Sequence, residues 1–337
     1  MNIVTTTGFY GTGSSAITDL LMEYDCIKIK SDYEIRIAHD PYGIRNLEFN
    51  LIENPNRHNS SFALKKFIDY VDFLSNPILG KKYQKYFEGQ FKRIATSYID
   101  SLFEFSYSGS WHYDLIDRGL FVFFCSRLYN KIIKFLRLCL GIHDERNYSL
   151  LVSKPKAYGT ICNEDEFLLH TRDFFEQLAK SINPEGMESV LMDQLVPPSN
   201  IGVYERYFNS IKIIVVDRDP RDIFLLEKLV WKGPVVPCND VELFCKWFLW
   251  TRRQYENTNK GSSLFIQFED LIYDYDETIG NIEKYLGISP ENHKNKFKKF
   301  NPSFSIKNTK LWEKFPEYKD EISFIEHKLK QYCYQKK

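Results

Sequence analysis

Eight residues near the start of the chain have the types and spacing needed to hold an anion: Gly8-Phe9-Tyr10-Gly11-Thr12-Gly13-Ser14-Ser15. A β-branched run, 2–7, precedes them. A segment with Ala16, Ile17, Leu20 and Leu21 at helical spacing follows. Glycines at a strand-to-helix junction let the backbone turn tightly and aim its N–H groups at one point. The start of the helix adds free N–H groups and the positive end of its dipole. Gly11, Thr12, Gly13, Ser14 and Ser15 are therefore the candidate anion-binding residues. The spacing is that of a phosphate loop, but Ser14 stands where nucleotide hydrolases carry lysine. That speaks against an ordinary ATPase or GTPase, in which the lysine reaches the β/γ-phosphates. The plainer alternative is a glycine turn capped by serine.

A second cluster follows the apolar run 211–216: Asp217-Arg218-Asp219-Pro220-Arg221-Asp222. Pro220 suits a first helical turn and Asp219 its cap. Arg218 and Arg221 could fork onto a phosphate, or the turn could satisfy itself. A third segment, Phe268-Glu269-Asp270-Leu271, follows the run 264–267 and leads to Tyr285-Leu286-Gly287.

Composition sets the frame for these motifs. The chain has 337 residues, 43% of them hydrophobic, with 45 basic against 45 acidic side chains. A packed core is expected, and a protein that coats nucleic acid is not. The start lacks the basic and apolar regions of a signal peptide. Seven cysteines, all without C-x-x-C spacing, suit a reducing, cytoplasmic setting. No apolar run is long enough to span a bilayer. Neither cysteines nor histidines show metal-ligand spacing, so no metal is expected.

Strand signals alternating with helical ones predict an α/β fold with a P-loop-like central parallel sheet flanked by helices. Strands are expected at 2–7, 27–30, 33–37, 190–192, 211–216 and 264–267. The aromatic-rich stretch 62–185 reads as a large, mostly helical insertion and acceptor-binding lid, with 1–61 and 186–337 forming the core. Residues 53–61 read as a polar loop. Residues 127–140 alternate basic and apolar positions (Arg127, Lys131, Lys134, Arg137). That pattern suits a helix covering a core, with peripheral contact to a membrane surface as the other reading.

Taken together, the three motifs resemble those of sulfotransferases that use 3′-phosphoadenosine-5′-phosphosulfate (PAPS). Gly8–Ser15 is similar to the family's phosphosulfate loop, Arg218–Asp222 to its Arg-(Asp/Asn)-Pro-(Arg/Lys)-Asp turn, and Phe268–Leu271 with Tyr285–Gly287 to its YEDL…FLG segment. The resemblance implies that the loop holds the 5′-phosphosulfate and that Arg218 binds the 3′-phosphate. It also implies that a basic C-terminal loop covers the adenosine. Ser305 to Lys310, with Lys307 and Lys310, looks similar to that loop. The segment 294–337 carries twelve lysines, no arginine and five acidic residues, a net +7, which suits an anionic donor.

The chain also departs from the pattern. Gly11 stands where many members place Lys or Arg, and Leu226 where a serine shares the 3′-phosphate. Asp193 with Gln194 occupies the place of a Thr-His sequence. Asp193 is the first candidate base and His39, beside Asp40, the second. His112 and Trp111 are candidates to line the acceptor site. Arg36, Lys30 or Lys154 could supply the missing loop charge. The implied reaction is in-line sulfuryl transfer to a hydroxyl or amine of a carbohydrate or glycoconjugate. The alternatives are an ATP–Mg phosphotransferase and an inactive nucleotide-binding relative.

Overall fold

The structure, a computed structural model, describes residues 1–30, 33–79, 82–109, 112–143, 146, 148, 156–160, 163–256 and 261–335. The chain divides into two compact units. The first comprises 1–39, 83–90 and 172–337, and the second 40–82 and 91–171. These boundaries differ from those expected at 61/62 and 185/186. Residues 40–61 pack with the second unit, and the second half of helix Glu164–Ile182 packs with the first.

A five-stranded sheet organises the first unit. Its strands are β1 (Asn2–Gly8), β2 (Ile27–Ile29), β5 (Ser189–Leu191), β6 (Ile211–Asp217) and β7 (Leu264–Gln267). The order is β2-β5-β1-β6-β7, and every pair is parallel. The fold is α/β and P-loop-like, with the glycine loop leaving the central strand. Parallel strands need crossovers that cover both faces, so central strands become apolar throughout. Accordingly Ile3, Val4, Ile213, Ile214, Val215 and Val216 are all buried. Thr5, Thr6 and Thr7 are buried in β1 too, and their hydroxyls find partners. Thr5 Oγ1 accepts from Leu195 N at 3.0 Å, and Thr6 Oγ1 lies 2.9 Å from Thr18 Oγ1. Helix Ser14–Leu21 closes one face with Ile17, Leu20 and Leu21, packed against Val4, Ile214 and Ile266.

The chain leaves β1 toward β2 on one side of the sheet and leaves β6 toward β7 on the other. Ligands in open parallel sheets bind at such a switch point, beyond the carboxyl ends of the strands. Both the glycine loop and the Arg218 turn start there.

Residues 33–37 are not a strand. Ile35 and Ile37 are buried as expected for one, but Ile35 N donates to Asp193 O (2.8 Å) as a single link outside the sheet ladder.

The second unit is mainly helical and includes Arg57–Ser75, Phe91–Asp100 and Leu120–Cys139. Its helix Arg57–Ser75 begins inside the stretch read as a polar loop. Asn56 caps it, accepting from His58 N and Asn59 N at 3.1 and 3.0 Å. An antiparallel pair, β3 (Phe105–Ser108) with β4 (Lys156–Gly159), was not expected. Helix Leu120–Cys139 does not cover a core, since none of its residues is buried. Among the described residues no helix is long and apolar enough to cross a membrane.

Candidate donor site

The glycine loop is built on left-handed backbone. Tyr10, Gly11 and Gly13 have φ of 67°, 68° and 89°, a region costly for side chains bearing Cβ. Gly13 has a second constraint, because a Cβ there would lie 2.7 Å from the Phe268 ring. Gly8 is likewise confined: its Cβ would meet Thr12 Oγ1 at 2.2 Å and the Val216 carbonyl at 2.9 Å. Thr12 points inward, its hydroxyl accepting from Phe9 N at 3.2 Å. Gly13 occupies the N-cap of helix Ser14–Leu21, and no side chain caps the helix. Its first N–H groups are thus left to solvent or an anion.

Gln194 supports this loop. Its Nε2 donates to Ser14 Oγ at 3.0 Å, and its Oε1 accepts from Thr7 Oγ1 at 3.4 Å. Gln194 N donates to Thr6 O at 3.0 Å, extending the β5 edge past its last strand residue. The backbone there is left-handed, φ 56°, which turns the side chain toward the loop. His39 Nε2 lies 2.9 Å from Gln194 O. A carbonyl only accepts, so Nε2 carries the hydrogen and Nδ1 is the basic nitrogen. Asp40 turns its carboxylate to Tyr70, accepting at 2.7 Å.

Asp193 lies deeper, buried beneath the loop, where it accepts from the Thr6 hydroxyl. Burial raises its carboxyl pKa to about 6, against the lowering effect of the Thr6 hydrogen bond.

Arg218 follows the carboxyl end of β6 and is buried. Its guanidinium lies 4.3 Å from the centre of the Phe268 ring, and Nη2 donates to the Asn308 carbonyl. Its Nε is buried without a hydrogen-bond partner. Burial pulls the pKa of this guanidinium down, opposed by Asp222, Glu269 and Asp219. Two of those carboxyls are shifted themselves. Burial pushes Asp222 up to about 7 and Glu269 up to about 8, with Arg218 opposing both. A buried cation with an orphaned donor is costly alone and is relieved by an anion.

The other arginine of the turn does not join it. Arg221 forks onto Asp219, with Nε 2.9 Å from Oδ1 and Nη2 2.6 Å from Oδ2, and it stacks 3.7 Å over Trp312. Of the two readings of the turn, the self-satisfied one describes Arg221, which a buried carboxylate two residues away holds. Arg252 is engaged in the same way by Asp217.

The C-terminal segment reaches this cluster through its backbone. Asp222 accepts from Lys310 N at 3.0 Å and Leu311 N at 2.8 Å. Lys310 Nζ sits 5.3 Å over the Tyr273 ring, while Lys307 is exposed. Upstream, buried Glu23 holds the strap 293–300, accepting from Lys299 N at 2.7 Å, Phe300 N at 2.9 Å and His293 Nε2 at 2.7 Å.

For the missing loop charge, Lys30 is paired with Glu88, and Arg36 lies 3.6 Å from Glu34. Lys154 and Trp111 lie outside the described residues, as does the side chain of His112. Leu226 is buried in an apolar cluster with Phe244 and Phe248. Sequence reasoning missed Trp231, an exposed ring whose edge would lie 3.0 Å from a Cβ on Gly11. It has no spacing signal, because tertiary packing brings it to the loop; Gln194, singled out in the sequence only for its place beside Asp193, reaches the loop in the same way.

In the second unit, Arg57, His58, Phe62, Lys65, Tyr107 and Tyr113 line a cleft of about 340 Å³. Lys65 Nζ is 3.0 Å from Asp114 at its wall. Aromatic faces beside charged hydrogen-bonding groups suit a polyhydroxylated ligand.

No family model and no curated protein matches the chain. The chain is similar to sulfotransferase structures. One is the sulfotransferase domain of the Synechococcus PCC 7002 olefin synthase, with 12% identity, 92% of this chain and 88% of that one covered, and a TM-score of 0.43. Another is sulfotransferase STF9 from Mycobacterium avium, with 10% identity, 94% and 76% covered, and a TM-score of 0.35.

Proposed function

We propose that the protein transfers a sulfuryl group from PAPS to a hydroxyl of a carbohydrate or glycoconjugate. The observation that carries this is Arg218: a buried guanidinium with an orphaned Nε, beside a lysine-free glycine loop at the sheet's switch point. A donor with two separate anionic groups suits that pair. Backbone N–H groups from Gly11 to Ser15, with the Ser14 and Ser15 hydroxyls, would hold the 5′-phosphosulfate. Arg218 would take the 3′-phosphate, with Lys307 and Lys310 over the adenosine. The exposed Trp231 ring would offer the base a stacking face.

The acceptor oxygen attacks sulfur as the bond to the bridging phosphate oxygen breaks. The acceptor's proton passes to a base, a contribution of roughly 10²–10⁴-fold. We assign that role to His39. We assign Asp193, buried on Thr6, to positioning the loop from beneath. The cleft around Tyr107 and Tyr113 is the candidate acceptor pocket. A cytoplasmic setting, in which thiols stay reduced, goes with this reading.

Calorimetry with 3′-phosphoadenosine-5′-phosphate tests the donor site. Wild type binds it without Mg²⁺, and Arg218→Ala weakens binding by about 1.5–3 kcal/mol. Equal affinity of the two proteins would sink the assignment. Binding of ATP that depends on Mg²⁺, with no response to the bisphosphate, would favour a phosphotransferase instead.

A further inference from the structure

Helix Leu120–Cys139 is amphipathic the wrong way round for a helix that covers a core. Val122, Phe123, Ser126, Asn130, Ile133 and Arg137 form its half-buried side. On that side Asn130 Oδ1 accepts from Tyr148 N at 2.6 Å, and the Arg137 guanidinium lies 5.5 Å from the centre of the Tyr148 ring. The opposite side carries Phe121, Phe124, Leu128, Ile132, Phe135 and Cys139, spaced three or four residues apart in one stripe. All six are exposed; Phe121 is 82% and Phe135 65% accessible. Packing against the protein would call for the reverse arrangement.

The charges are equally one-sided. Arg127, Lys131 and Lys134 each stand one residue before a stripe residue, about 100° away around the helix. They form a basic row along one edge of the apolar stripe. From Arg118 to His143 there is no acidic residue. An apolar stripe edged by cations matches a surface that is apolar below and anionic above. A second copy of this helix would bring like-charged rows together, since residues 118–143 carry no acidic side chain.

We propose that helix Leu120–Cys139 lies in the plane of an anionic lipid bilayer surface. Phe121, Phe124, Leu128, Ile132 and Phe135 enter the acyl boundary, and Arg127, Lys131 and Lys134 reach the headgroup phosphates. Long basic side chains do this by laying their stems along apolar surface with the charge in water. The helix belongs to the second unit, and its role is independent of what the first unit binds.

Co-sedimentation of the full chain with lipid vesicles tests this. The chain should bind vesicles of phosphatidylcholine mixed with phosphatidylglycerol at least about tenfold more tightly than phosphatidylcholine alone, and the preference should shrink in high salt. Lys131→Glu with Lys134→Glu should weaken binding to the anionic vesicles by roughly tenfold or more. Phe121→Ser with Phe124→Ser and Phe135→Ser should abolish it. These side chains are exposed, so an unchanged thermal midpoint separates lost binding from lost fold. Absence of binding to anionic vesicles, or binding that both variants retain, would overturn the proposal. So would an oligomer that the phenylalanine variant dissolves while vesicles stay unbound, which would make the occupant a second copy.

Discussion

Gln194 holds Ser14: its Nε2 donates to the serine hydroxyl at 3.0 Å, from a left-handed residue just past β5. The same residue's carbonyl lies 2.9 Å from His39 Nε2. One glutamine thus joins the loop proposed to hold the sulfuryl donor to the histidine proposed to take the acceptor's proton.

Replacing the Gln194 side chain should therefore affect the loop end and spare the His39 end. In Gln194→Ala the backbone carbonyl stays and the link to Ser14 is lost. Affinity for 3′-phosphoadenosine-5′-phosphate should fall by about 1 kcal/mol, the contribution of one neutral hydrogen bond. The contact between the Gln194 carbonyl and His39 Nε2 should persist, so single-turnover rates at saturating donor should change little. Calorimetry and single-turnover rates read the two effects, and unaltered donor affinity would show that Ser14 needs no support.

Donor affinity should depend on pH through Glu269. Its folded-state pKa is raised to about 8 and that of Asp222 to about 7. A bound anion beside Arg218 disfavours the ionised forms, so binding takes up protons. Affinity should then decline as pH rises through 7 toward 8. Glu269→Gln should flatten the upper part of that decline. A decline of equal steepness in the variant would assign the proton elsewhere.

Asp193 makes a prediction about stability. Its pKa is raised by burial from an ordinary value of about 4 to about 6 in the folded chain. The folded state therefore holds the proton more tightly than the unfolded state. The stabilisation is fully present below about pH 4 and is lost as pH rises through about 6. Asp193→Asn should remove that dependence. Wild type should lose roughly 2–3 kcal/mol relative to the variant between those limits. Denaturant titrations of both proteins across that range measure it.

Gly13 should tolerate no side chain. Gly13→Ala places Cβ 2.7 Å from the Phe268 ring at φ +89°. Left-handed backbone and steric overlap together should cost about 2–4 kcal/mol. Phe268 also underlies Arg218, 4.3 Å from guanidinium to ring centre, so donor affinity should fall along with the thermal midpoint. A variant of native stability and affinity would show that Phe268 can move aside at no cost.

Some of this was legible from the residues alone. The runs 2–7, 211–216 and 264–267 form parallel strands, their β-branched and apolar residues suiting a sheet covered by helices. The glycine loop was readable because left-handed turns and close backbone approach demand glycine. Other features were not readable. Residues 33–37 have the composition of a strand, but their backbone is taken by Asp193. Residues 105–108 and 156–159 pair across 48 to 54 positions of sequence, and local pattern carries no trace of such a partner. The helix at 120–139 has a period that shows two faces without showing which one meets the protein.

The candidate site divides in the same way. Residue type alone does not separate Arg218 from Arg221, two arginines flanking one Asp-Pro pair, although the resemblance implied a role for Arg218. Only the fold sets Arg221 on Asp219 and Trp312 while leaving Arg218 Nε without a partner. Residue type and local spacing determined which backbone could cradle an anion. Which charges remain unbalanced there was decided by tertiary structure, since a charge is neutralised by whatever lies within a few ångströms, at any distance along the chain.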